Sequence, residues 1–263
     1  MREVACSLAR RCLSWQRRVL DRYCAPARPQ ILHDNIAHYH AGTVMLTAHR
    51  ARNRVIREED AKRAAGEQLV VLPDATAVVM LAAAASEAFI NEFAEEIGMR
   101  RQHGATWDPP VQMSPLLTSA ADAVLDLEFR HGKTQDKYAA AAIALGQPLA
   151  RGAPPFQEFV RLFKLRNALM HAHPVRLSET HDGTVIAGVL AGRGIALANS
   201  PVANFAWYDR VGTAGVARWA CSTALAMVIA ILDRLPQSAN PMDPLQAAQT
   251  LYRQPMFGDE TWE

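Results

Sequence analysis

The stretch 161-RLFKLRNALMHAH-173 decides how this chain is read. On a wheel at about 100° per residue, Phe156, Phe159, Val160, Leu162, Phe163, Leu165, Leu169 and Met170 form one broad apolar arc. Gln157, Arg161 and Lys164 take the opposite face, His171 stands at the boundary, and Arg166 falls near the middle of the apolar arc. A guanidinium on a buried face is costly unless paired, and stripping the partner from such a pair costs about 3–5 kcal/mol. Two readings are open: Arg166 clasps a core carboxylate, or it lines a cleft and awaits an anion.

Working outward, Pro174 ends this helix and the Pro/Gly-rich link 146-GQPLARGAPP-155 leads into it. Upstream, Pro73 and Asp74, the latter read as an N-cap, open a helix over 75–97 that stops at Gly98. Its first half, 75-ATAVVMLAAAAS-86, is apolar on every side, the pattern of a helix surrounded by others. Glu87, Asn91 and Glu95 recur every fourth residue and share one face. Glu87, directly after the alanine-rich run, is the preferred partner for Arg166, with Asn91 the second candidate; Glu95 is expected in solvent. Further helices are expected at 115–130, 134–145 and 213–235, with a loop over 101–114. The stretch 183-GTVIAGVLAGRGIAL-197 reads as a short hairpin or ordered loop, and it carries neither of the glycine patterns of a phosphate loop. The expected architecture is an all-α helical bundle over 73–236. Residues 1–72 form a basic and helical extension, and 237–263 a loosely packed tail.

The chain has 263 residues, half of them hydrophobic, and a net charge of +2, which neither requires nor excludes a polyanionic partner. Cys6, Cys12, Cys24 and Cys221 show no metal-finger spacing and read as reduced thiols. The first 30 residues are rich in Arg but lack the uninterrupted apolar core of a secretory signal. A basic amphipathic helix, a transit segment or an upstream start codon all suit them. The apolar run at 75–86 is shorter than a membrane span and closes at Glu87, so a cytoplasmic protein without a membrane partner is expected. The charged stretch 50–68 reads as a solvated helical face. His33, Asp34, His38 and His40 lack a second ligand cluster, and no metal or cofactor is expected. Trp207 and Trp219 read as core anchors.

The string 86-SEAFIN-91 on one long helix, followed by 165-LRNALMH-171 on another, resembles the HEPN superfamily, whose signature is an Arg, a polar residue and a His spaced as R-x(4–6)-H. The resemblance covers about 74–235 and rests on Arg166, Asn167 and His171. It implies metal-independent RNA cleavage, in which the ribose 2′-OH attacks the neighbouring phosphate. His171 would move the proton, Arg166 would stabilise charge on the phosphate, and Asn167 would orient His171. Glu87 and Asn91 would support the site. Arg166 and His171 diverge by about 140° on one helix; HEPN proteins answer this by dimerising, so a homodimer with a shared cleft is implied. The resemblance extends to toxin or phage-defence ribonucleases with an antitoxin or other protein partner. It extends equally to silent HEPN-like modules that bind a nucleotide or a protein without cutting anything.

Overall fold

The structure is a computed structural model describing residues 40–67, 70–104, 113–171, 182–198, 206–236 and 244–254. All of them fall in one compact unit, 39–263. Among the described residues every regular element is a helix: α1 (His40–Ala64), α2 (Pro73–His103), α3 (Pro115–Phe129), α4 (Thr134–Ala144), α5 (Phe156–Met170), α6 (Asp182–Ala191), α7 (Trp207–Arg210), α8 (Ala214–Leu232) and α9 (Pro244–Tyr252). The all-α bundle expected from the sequence is what forms.

α2 is the axis. Pro73 occupies its first turn, where the missing N–H costs nothing, and Leu72 rather than Asp74 is the N-cap. The helix runs through Gly98 to His103, because Ala94, Ile97 and Arg100 are still buried and the neighbours hold the last turns in place. α1 and α8 lie along it, with α3, α5 and α4 packed against it further round. α2 and α8 are both long and apolar enough, by length and composition, to cross a membrane. Their apolar windows are 56% buried within the bundle, and the window in α2 extends well beyond the run at 75–86.

Three expectations are corrected. The segment from 183 is no hairpin: Asp182–Ala191 is a helix, with Ile186, Ala187 and Leu190 in the core, and its apolar burial outweighs the weak helix propensity of its glycines. α1, assigned by sequence to an extension ending at 72, belongs to the bundle. Its Met45, Ala48 and Val55 are core residues, and Glu59 Oε2 accepts the Ala214 N–H at 2.6 Å, capping α8 from outside. Within the tail, α9 is packed as well: it buries Leu245 and Tyr252, and the Tyr252 ring meets Phe89 edge-on at 5.6 Å.

An aromatic chain joins the helices around α5. Phe89 on α2 faces Tyr138 on α4, whose ring meets Phe159 at 4.8 Å, and Phe159 meets Phe163 at 5.0 Å. Burying one such ring contributes about 1.5–3 kcal/mol. The Tyr138 hydroxyl donates to the Ser86 carbonyl at 2.9 Å, and complete burial keeps it protonated. Trp207 is a core residue as expected, while Trp219 is half-buried and packs against the core with its indole N–H engaged. Cys221 is buried; the other three cysteines, and His33, Asp34 and His38, lie outside the described residues.

Candidate functional site

Phe156, Phe159, Leu162, Phe163, Leu165 and Ala168 are the buried residues of α5. They fix the helix against α2, α8 and α6. Its last turn is different. Leu169 and Arg166 are half-buried, whereas Asn167, Met170 and His171 are exposed, Met170 to 57%. Arg166 therefore lies on the apolar arc at the point where that arc leaves the core, and its charge is not buried.

Arg166 makes no ion pair among the described residues. Its Nη1 donates to the Oδ1 of Asn167 at 3.0 Å. The expected clasp to Glu87 or Asn91 does not form, because another cation has taken that place. Lys137 on α4, with a side chain only 3% exposed, donates its Nζ to Asn91 Oδ1 at 3.0 Å and to the Glu128 carboxylate. Burial lowers the Lys137 pKa, and the nearby Glu87 carboxylate partly restores it. The 86–91 string is thus the strip on which α4 docks: Ser86 takes the Tyr138 hydroxyl, Phe89 its ring and Asn91 the neighbouring lysine. Glu95 is exposed, as expected.

His171 is the C-cap of α5, and its N–H donates to the Asn167 carbonyl at 3.1 Å. Asn167 thus holds the helix end through its backbone, and its amide oxygen serves Arg166 rather than the His171 ring. Arg166, Asn167 and His171 are brought together at one exposed helix end, and Glu87 and Asn91 are in the Lys137 cluster. Lys137 was not among the candidate residues; in sequence it is one lysine of an ordinary-looking helix, and only the turn between α3 and α4 aims it at Asn91. Among the described residues no group of three or more His, Cys, Asp or Glu gathers in a way that could hold a metal ion.

Compared with family models, with curated proteins and with solved structures, the chain finds no match.

Proposed function

We propose that this chain is a homodimeric, cytoplasmic endoribonuclease of HEPN type that cleaves RNA by internal attack of the 2′-OH. The observation that carries the reading is the state of Arg166: half-buried, braced by Asn167, and with no carboxylate neutralising it among the described residues. An arginine committed to a core clasp could not receive a phosphate, whereas this one is held in place with its charge available.

In the reaction, O2′ bonds to phosphorus and the P–O5′ bond breaks, leaving a 2′,3′-cyclic phosphate. His171, exposed beside Asn167, takes the 2′-OH proton and returns it to the leaving O5′. Arg166 places its donors on the non-bridging oxygens as negative charge builds. The two side chains leave the helix in different directions, so His171 of one subunit works with Arg166 of the other. The 57%-exposed Met170 between them supplies apolar contact for such a seam.

The test is a gel assay of the purified protein on mixed RNA in EDTA. Wild type should cut and leave 2′,3′-cyclic phosphate ends, and His171→Ala should not cut while remaining folded. Undiminished cleavage by His171→Ala removes the assignment. No cleavage by wild type, with RNA or nucleotide still bound, leaves a silent HEPN-like binding module.

A further inference from the structure

Glu158, in the first turn of α5 and the only acid on that helix, sits under two arginines. Arg161, one turn on, and Arg193, in the turn after α6, both donate to its Oε1. Its Oε2 accepts the Trp219 indole N–H from α8 at 3.0 Å, so both carboxylate oxygens are occupied. Gln157 Oε1 accepts from Arg193 Nη2 at 3.3 Å and fixes that guanidinium further. The carboxylate thus gathers two guanidiniums and neutralises the charge of only one. Arg193 is well exposed and Arg161 partly so. Lys164 follows on the same flank, exposed and with no ion pair among the described residues.

Arg161 and Arg193 gather over the first turn of α5, and Lys164 stands between them and His171 along the helix. Lys164 and His171 are seven residues apart, so on the helix they differ by only about 20° and lie about 10 Å apart along the axis. Arg161 extends the line back one more turn. A row of excess positive charge beside a proton-transferring group is what a single-stranded backbone needs to be held in register, because each phosphate gains from a cation regardless of its base.

We propose that Arg193, Arg161 and Lys164 form a phosphate-binding track that seats the backbone of single-stranded RNA along α5, next to the bond presented to His171. Glu158 is its positioning residue, fixed by Trp219 and holding the two guanidiniums together. The proposal rests on the RNA-cleaving reading and adds to it the form of the substrate, a single strand, and the side from which it enters.

The experiment uses the full chain and a labelled RNA of about 12 nucleotides, 2′-O-methylated so that it binds without being cut. Fluorescence anisotropy is followed over roughly 50–200 mM salt. Lys164→Gln and Arg193→Gln should each weaken binding equally for different base sequences, and each should reduce the slope of log affinity against log salt by about 0.7. The Lys164 side chain makes no hydrogen bond or ion pair among the described residues, so the result of Lys164→Gln stands even if Arg193→Gln loosens the turn after α6. Wild-type binding with an unchanged slope in Lys164→Gln overturns the track, while loss of cleavage in His171→Ala leaves the ribonuclease reading intact. A reduced slope with no cleavage by wild type keeps the track and removes the enzyme. Absence of RNA binding by wild type overturns both.

Discussion

Lys137 and Arg166 are both cations among apolar neighbours, and their surroundings give them opposite sensitivities. Lys137 is enclosed and satisfied by Asn91 and Glu128. Lys137→Ala strands the Asn91 oxygen and should cost about 1.5–3 kcal/mol, read from urea unfolding. Arg166→Ala removes a half-buried chain with one hydrogen bond, so stability should change by no more than about 0.5 kcal/mol, while cleavage falls on the order of 10²–10³. A third residue gives a pH signature. Burial raises the Glu92 pKa from 4.5 to about 7, against the pull of the Ala41 and His40 N–H groups and with a further push from Glu95. Its Oε1 accepts from Ala41 N at 2.9 Å, while Oε2 is buried without a hydrogen-bond partner among the described residues. The folded state holds this proton more tightly than the unfolded one, so the contribution to stability is complete below about pH 4.5 and is lost as pH rises through 7. His49, held down to about 3 by burial and by Arg52, works in the other sense, and its contribution is lost as pH falls below 6.5. The difference between wild type and Glu92→Gln therefore isolates Glu92: the advantage of wild type over the variant in urea midpoint should shrink as pH rises from about 4.5 through 7. Of the candidate site, the position of Arg166, Asn167 and His171 at one helix end was legible in the sequence. A wheel gives the direction of a side chain but not where along its axis the helix leaves its neighbours, so the Glu87 clasp was expected and Lys137 was not.

At the scale of elements, α8 is held at its start by two independent caps. Thr213 Oγ1 accepts from Val216 N at 3.2 Å within the helix, and Glu59 reaches over from α1 to Ala214 N. Thr213 also donates to the Ala196 carbonyl at 2.7 Å, so it ties the segment after α6 to the same point. Glu59→Ala should lower stability by about 0.5–2 kcal/mol, measured by urea unfolding; no effect would mean that the Glu59 cap does not hold the start of α8. Helices with their own punctuation were legible. Ser114 and Pro115 open α3, and Thr213 opens α8, within a residue or two of expectation. The elements misread lack such signals. α6 alternates glycine with branched residues and becomes helical through three buried side chains. α9 is short and glutamine-rich, and its place depends on α8 and on Phe89, more than 150 positions earlier in the chain. Gly98 carries a stop signal that the packing around α2 overrides.

At the scale of the whole molecule, the proposed chemistry makes a demand that one subunit cannot meet. Arg166 and His171 project about 140° apart from α5, so a two-fold axis beside Met170 would build each site from the arginine of one copy and the histidine of the other. Apolar side chains exposed elsewhere, such as Phe129 at 86% and Ile143 at 56%, lie on α3 and α4 rather than on the motif-bearing helix. Mixing two inactive variants separates the arrangements. In a dimer pairing Arg166→Ala with His171→Ala, one shared site carries both lesions and the other carries neither. If subunits exchange at random, half of the dimers are mixed and half of their sites are intact, so activity should return to roughly a quarter of wild type. A site completed within one chain predicts none, since every site would keep one lesion. Activity that stays at the level of the separate variants, with exchange verified by differently tagged subunits, would remove the shared cleft and require that Arg166 and His171 of one chain reach the same phosphate.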